Sequence, residues 1–540
     1  MSKQQQEWGS RLGVILAVAG SAVGLGNFLR FPGQVAQNGG GAFMIPYFCA
    51  LLFLGIPIGW AEWAMARHGG QKGFHSAPGV MGVMGKGAWA RYLGVIGVLI
   101  PLAVYFYYVL IESWCLGYCW EYIVALFGDP AIGMKKGMVM AEQVAASKEH
   151  FTQFTGAGAD GSLFDLSGTA GGVHETSLLF WLITIAVNFW FVWRGLSKGI
   201  EEFCKWAMPA MAVAGIVVLV RVLTLGTPDP TKPDQSVEAG LAFMWNPKYE
   251  ALSDPKTWMA AAGQIFFSLS VGFGVIINYA TYLKKKDDIV LSGFTSSATN
   301  EFFEVGLGGL ITVTAAFVFL GAVGTIEAVG TGTFGLGFKT LPVVFAQMGT
   351  FGNVIGAVWF FMLFLAAITS SLSMLQPTLA FFEESMGWSR GKGLGVLIPL
   401  ALAGNIFVMY YSKDLMALDT IDFWIGTVLI FVMAALQIIC FSWVFGVDKG
   451  IASAEQGAQM KIPAIFRFVM KYVAPLYLIV VFVLFCKQNL PDYLKAMESN
   501  PVAKRSLMFI GIVIVILVAM TAVGAKRWRA MGLDLDGEKD

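Results

Sequence analysis

Residues 20–32 read GSAVGLGNFLRFP, inside an apolar segment long enough to be one continuous membrane helix. Gly20, Gly24 and Gly26 crowd its middle, with Asn27 and Arg30 directly behind them. A glycine weakens a helix interior by about 1 kcal/mol relative to alanine. A polar amide and a guanidinium at this depth add a desolvation cost in lipid. So many unfavourable choices in one stretch predict a helix that is interrupted for a purpose.

The rest of the chain supplies the setting. Its 540 residues are 56% hydrophobic, 14% aromatic and 13% charged, with mean hydropathy +0.67. Soluble domains carry about 25% charged residues, so the composition predicts a polytopic membrane protein. The net charge of +1 gives no signal for nucleic acid. The polar start MSKQQQEW lacks the pattern of a cleaved signal, and no processing is expected. Cys49, Cys115, Cys119, Cys204, Cys440 and Cys486 lie mostly within or beside apolar runs, without metal-ligand or disulfide spacing. They read as buried thiols. His68, His75, His150 and His174 are expected in loops, which argues against a histidine relay across the membrane.

Twelve apolar runs can cross a bilayer. They lie near 11–36, 41–66, 92–126, 176–193, 205–225, 257–283, 291–324, 349–382, 393–412, 415–446, 465–486 and 506–525. With the N-terminus inside, the inner loops collect Lys/Arg, including Lys284–Lys286 and Lys526, Arg527 and Arg529. The outer loops 127–175 and 227–256 carry more Asp/Glu than Lys/Arg. The positive-inside rule then places both termini in the cytoplasm of a multi-pass inner (plasma) membrane protein.

In the sixth run, Val271-Gly272-Phe273-Gly274 echoes Val23-Gly24-Leu25-Gly26 of the first, five spans earlier. An odd number of spans per repeat inverts the second copy. Paired glycine-interrupted segments in two inverted halves point to a midplane binding site of a secondary transporter. For the Gly20–Gly24 spacing taken alone, a small-residue packing seam is the better account. It does not explain why Ser21 and Asn27 in one segment, and Ser268 and Ser270 in the other, crowd the same depth. The expected fold is therefore an all-α polytopic membrane protein: twelve transmembrane helices, a 5+5 inverted repeat, and discontinuous first and sixth helices. Its parts are an N-terminal segment 1–10, a first repeat 11–226, a second repeat 227–446 with outer loop 227–256, two additional helices in 447–525, and a tail 526–540.

The motifs WGSRLGVILAVAGSAVGLGNFLRFP, NGGGAFMIPY, YYVLIESW, GQIFFSLSVGFG, LSGFTSSATNEFFE, FLAAITSSLSMLQP and LDTIDFW resemble the neurotransmitter:sodium symporter family. The likeness is greatest to bacterial amino-acid transporters of the leucine-transporter type and covers roughly residues 8–525. That family is itself one of the cases from which the inverted-repeat rule was drawn.

The resemblance implies one or two sodium ions beside one substrate. The first ion is expected on the Ala22 carbonyl, Asn27, Ser268 and Asn300, completed by the substrate carboxylate. The second is expected on the carbonyls of Gly20, Val23 and Ala366 with the Thr369 and Ser370 hydroxyls. All are oxygen ligands, suited to a hard cation. The resemblance puts the substrate carboxylate on the amides of Leu25 and Gly26 and the Tyr108 hydroxyl. It puts the ammonium group on the carbonyls of Ala22, Phe267 and Ser268 and the Ser370 hydroxyl. Val104, Tyr108, Phe267, Ser270, Phe273 and Met374 are expected around the side chain.

Family members that carry amines are similar but place an Asp where this chain has Gly24, so the substrate here is expected to bring its own carboxylate. An apolar lining without charged side chains implies a neutral, hydrophobic amino acid. For the outer gate, the resemblance implies an Arg30–Asp422 pair with Asp419 nearby, under a Tyr108–Phe267 lid. For the inner gate it implies Trp8, Tyr282 and Glu384; the family's N-terminal basic residue is replaced by Gln5, with Lys3 close by. Chloride-dependent members are similar around Tyr47, Gln264, Ser268 and Asn300 but carry Ser where this chain has Glu304. That carboxylate implies no chloride requirement, and a proton carried back on Glu304.

The sequence thus predicts a sodium-coupled symporter importing a neutral amino acid by alternating access. An amino-acid sensor using the same site without transport is the rival. No nucleophile–base pair, metal cluster or phosphate loop suggests an enzyme, and the expected partners are the amino acid and the lipid bilayer.

Overall fold

The computed structural model describes residues 8–128, 131–135, 137–158, 175–330, 334–488 and 490–538. Among these the chain is helical, with one isolated bridge between Gly40 and Pro247 and no strand. Ten helices are long and apolar enough to cross a membrane, from Gly41–Gln71 to Pro501–Ala530. An eleventh span is the bent pair Arg11–Ala22 and Gly26–Gln37, with 46° between its halves. The twelfth is the sixth in order, built from Pro255–Ser268 and Val275–Tyr279 with no helix between them. Only helices satisfy their own backbone in lipid, so both breaks must sit inside the protein; Val23, Gly24, Val271 and Gly272 are all buried.

The two breaks differ in cause. In the sixth span Ser270, Gly272 and Gly274 have φ of 54°, 75° and 95°. A Cβ on Gly274 would stand 1.9 Å from the Gly97 carbonyl oxygen; only glycine meets both demands there. The freed Gly272 amide donates to the buried Glu62 carboxylate at 3.3 Å, which also accepts from Gln437 at 2.9 Å. In the first span the break is Val23, extended at φ −74° and ψ 97°. Gly20, Gly24 and Gly26 are not at positive φ. These glycines therefore flank the interruption that the sequence predicts without turning the chain through the left-handed region. They make room: a Cβ on Gly24 would lie 2.7 Å from the Tyr108 hydroxyl and 2.8 Å from that of Ser370, and one on Gly26 2.8 Å from the Phe267 ring.

The expectation that the histidines fall in loops is also corrected. His68 ends the second span and His150 lies in the outer helix Met140–Thr155. Helices outlast their apolar windows where they enter water, which a hydropathy reading truncates. His75 is in the turn after the second span, and His174 lies outside the described residues. All six cysteines are free; four are buried, and Cys49 and Cys486 are half-buried.

Candidate functional site

Where the two broken spans face the third and eighth, a cavity opens. It is lined by Ser21, Ala22, Gly24, Gly26, Asn27, Tyr108, Phe267, Ser268, Ser270, Phe273, Ser370 and Met374. Nine of the eleven residues expected around a substrate are among them. Val104 is buried but lies outside this lining. Leu25 does not line it either; its amide donates to the Tyr108 hydroxyl at 3.1 Å. The charge-free lining is as expected, and Ser21 is an addition. Its hydroxyl pairs with Ser373 at 2.7 Å and its carbonyl accepts from Ser270 at 3.2 Å.

On one flank, a chain of amides joins the first break to the seventh span. Asn27 Oδ1 accepts from the Gly24 amide at 2.9 Å, and Asn27 Nδ2 donates to Asn300 Oδ1 at 2.8 Å. Asn300 Nδ2 donates to Ser268 Oγ at 2.7 Å. Each oxygen keeps a second lone pair, so these side chains fit a hard cation without rearranging their mutual contacts. Glu304 closes the network from below, accepting from Gln264 at 2.7 Å and Asn300 at 3.1 Å. Tyr47 donates instead to Glu301 Oε2 at 2.8 Å. Glu301 was missed in the sequence because its main partner, Tyr47, comes from the second span; Asn300 Nδ2 also reaches its Oε1 at 3.5 Å.

On the other flank, the Ser370 hydroxyl lies 3.3 Å from the Gly20 carbonyl oxygen, 3.2 Å from Ser21, 3.4 Å from Val23 and 3.1 Å from Ala366. A hydroxyl has one proton to donate, yet four acceptors converge on it. Back-bonding within a helix accounts for Ala366, as it does for Thr369 on Leu365 and Ala366 at 3.1 Å each. It does not account for three carbonyls from another span. A cluster of oxygen lone pairs short of protons suits a monovalent cation.

The gates depart from expectation. Among the described residues no ion pair joins Arg30 to Asp422. The Arg30 guanidinium lies 4.4 Å above the Phe267 ring and reaches Thr427 Oγ1 at 3.5 Å. Asp422 accepts from Tyr107 at 2.6 Å, and Asp419 is exposed. The π-face of Phe267 takes the cation at this depth, so the arginine caps the lid directly. Tyr107 and Thr427 carry no sequence signal, since their role exists only through these long-range contacts.

Where the inner gate is expected, Trp8 donates to the Tyr279 carbonyl at 3.0 Å and packs edge-on against its ring. Tyr282 stacks on His75 with 4.7 Å between centroids, and Glu384 accepts from the His75 amide and from Ser76 Oγ. The three expected residues thus share one face, but through His75 and Tyr279. Gln5 and Lys3 lie outside the described residues; the N-terminal segment is held instead by Gly9 and Ser10 on Glu201 and by an Arg11–Asp288 pair at 3.3 Å.

The tail, expected only as a cytoplasmic extension, is docked across this face. Arg527 and Trp528 donate to the Glu384 carbonyl at 2.7 and 3.2 Å, Trp528 packs edge-on against Phe74, and Asp536 pairs with the buried Arg91. Hydrogen bonds to charged groups are worth about 1.5–3 kcal/mol. Replacing Arg91 with Ala is expected to release the tail by that amount, exposing Arg527 and Arg529 to faster trypsin cleavage of the detergent-solubilised protein, as read by loss of a C-terminal tag.

Comparisons with known proteins agree with this geometry. The model of the sodium:neurotransmitter symporter family matches residues 5–529. An uncharacterized sodium-dependent transporter of Methanocaldococcus jannaschii is 30% identical over 478 residues, 88% of this chain and 89% of the relative. The sodium-dependent nutrient amino acid transporter 1 of Drosophila melanogaster is 27% identical over 521 residues, 89% and 77% of the two chains. Among solved structures, MhsT in complex with L-phenylalanine aligns at a TM-score of 0.72 and 26% identity, covering 88% of this chain and 99% of that one. Family model, relatives and broken-helix architecture converge, and this chain belongs to the sodium:neurotransmitter symporter family.

Proposed function

We propose that this chain imports a neutral, hydrophobic amino acid together with sodium, by alternating access and without a chloride requirement. The observation that carries the reading is the convergence of the Gly20, Val23 and Ala366 carbonyls on Ser370, beside a charge-free cavity. In this reading Gly20, Val23, Ala366, Thr369 and Ser370 hold one sodium ion, and Ala22, Asn27, Ser268 and Asn300 hold another. The substrate carboxylate completes the latter shell, so ion and amino acid stabilise each other reciprocally. Gly24 leaves the space for that carboxylate. Phe273, Met374 and Phe267 suit an apolar side chain, in keeping with L-phenylalanine on MhsT and the nutrient amino acid role named for the insect relative.

The driving force suffices. One charge falling through 100 mV releases about 2.3 kcal/mol, and a tenfold gradient adds about 1.4 kcal/mol. A single ion thus sustains accumulation of a few hundredfold. Both termini face the cytoplasm of the inner (plasma) membrane, with repeats over 11–226 and 227–446. Glu304 supplies the negative charge beside the first ion that chloride supplies elsewhere.

The test is uptake of a radiolabelled amino-acid panel into proteoliposomes, with an inward sodium gradient, then potassium in its place, and gluconate for chloride in parallel. Sodium-dependent, chloride-indifferent uptake of L-phenylalanine or a similar amino acid is expected, and Glu304→Ser is expected to become chloride-dependent. Detectable binding without sodium-driven uptake of any amino acid would favour the sensor.

A further inference from the structure

The cavity carries two hydroxyls that neither ion shell uses. Ser21 of the first span and Ser270 of the sixth are both buried, and both line it. A proton count fixes what they offer. Ser373 Oγ donates to the Ser370 carbonyl at 2.6 Å, and a hydroxyl has one proton to give. In the 2.7 Å contact between Ser21 Oγ and Ser373 Oγ, Ser21 is therefore the donor. Ser270 Oγ commits its own proton to the Ser21 carbonyl at 3.2 Å. Both hydroxyl oxygens keep their lone pairs, and among the described residues no donor reaches either one.

Local structure holds the pair in that state. Ser270 stands at φ 54° in the break of the sixth span, and its bond ties one break to the other. Ser373 follows Ser370 by three residues on the eighth span, so its proton stays within that helix. Neither Ser21 nor Ser270 can turn its proton into the cavity without breaking a buried bond. Acceptors of this kind cost free energy when an apolar group displaces their water and brings no donor.

The ammonium group of an amino acid does not need them. It has three protons, and the family resemblance already gives it the carbonyls of Ala22, Phe267 and Ser268. What is left to satisfy Ser21 and Ser270 is the substrate side chain. Phe267, Phe273 and Met374 line the same cavity, and two rings and a thioether suit an aromatic face. We propose that this site selects a neutral aromatic amino acid carrying a hydrogen-bond donor on its ring, a phenol as in L-tyrosine, and that Ser21 and Ser270 read that donor. This rests on the sodium-symport reading above and narrows its substrate class. A phenol is better hydrated than a phenyl ring, so a preference for it arises only where protein acceptors replace the lost water.

Equilibrium binding to the purified full-length chain at saturating sodium tests this, with L-tyrosine, L-phenylalanine and 4-methyl-L-phenylalanine as probes. The last has the shape of tyrosine without its donor. Wild type is expected to bind L-tyrosine about 2- to 12-fold more tightly than either of the others, the range for one net hydrogen bond. Ser21→Ala and Ser270→Gly are each expected to bring that ratio towards one; glycine is chosen at 270 because it accepts the positive φ. Sodium-dependent binding of L-phenylalanine, measured in both variants, shows that they are folded. Wild type binding L-phenylalanine or 4-methyl-L-phenylalanine as tightly as L-tyrosine overturns the proposal. So does a ratio unchanged in both variants with all three ligands weakened alike, which assigns the serines to the ammonium group. Sodium-driven uptake of aliphatic amino acids with none of the three rings bound also overturns it, and leaves the symport reading standing. Absence of sodium-driven uptake of any amino acid in proteoliposomes is a separate result and sinks the symport reading itself.

Discussion

Replacing Ser370 with Ala is expected to reduce sodium affinity by about 10- to 150-fold, the equivalent of about 1.5–3 kcal/mol for one charge-assisted contact. The effect is large because Ser370 is the point on which the first and eighth spans converge. Its hydroxyl lies within 3.1–3.4 Å of the Gly20, Ser21, Val23 and Ala366 carbonyls, and it also lines the substrate cavity. Alanine removes an oxygen from the shell and leaves the carbonyls to repel one another. At moderate sodium, uptake falls to background, and raising sodium restores part of it. That rescue separates a lost ligand from a misfolded protein. Sodium titration of L-phenylalanine uptake in proteoliposomes reads the shift directly. An unchanged half-saturating sodium concentration would remove Ser370 from the shell.

Gly24→Ala is expected to have a comparable effect on substrate through a different mechanism. The new methyl group would stand 2.7 Å from the Tyr108 hydroxyl and 2.8 Å from that of Ser370, both closer than carbon approaches oxygen without displacement. Tyr108 is fixed by the Leu25 amide at 3.1 Å, and Ser370 by its carbonyl cluster, so neither yields freely. Overpacking of this kind costs about 1–3 kcal/mol, and here the strain falls on the groups that shape the cavity. Substrate affinity is expected to drop by about 5- to 150-fold, measured by equilibrium binding at saturating sodium. Gly24→Asp should be worse for an amino acid, since it adds a carboxylate where the substrate carboxylate has to sit. Wild-type affinity in Gly24→Ala would mean that the cavity binds substrate elsewhere.

The residues whose function is local were legible in the chain itself. Long apolar runs must become spans because lipid leaves the backbone no other partner. The glycine and polar punctuation of the first and sixth runs marks breaks for the same reason, and both spans are broken in the structure. Asn27 and Ser268 stand out as polar groups at membrane depth, Asn300, Thr369 and Ser370 were singled out only by the family resemblance, and the fold brings all five to two flanks of one cavity.

What remained hidden depends on partners far apart in sequence. Gly24 and Gly26 read as marks of an interrupted helix, yet what requires them is the nearness of Tyr108, Ser370 and Phe267, which no local reading supplies. Arg30 carried the signature of an ion pair, but the fold offers it the face of Phe267 and the hydroxyl of Thr427. Glu301 and Glu112 were ordinary helical acids until Tyr47 and Asn188 arrived from other spans. The tail read as solvated because its charges are periodic with nothing, whereas Arg91 and the Glu384 carbonyl, over a hundred residues away, hold it down. Composition and periodicity determine which segments enter the membrane and where they must open. Which groups meet inside is decided by packing, because hydrogen bonds and cation contacts act over a few ångströms and sequence separation says nothing about that distance.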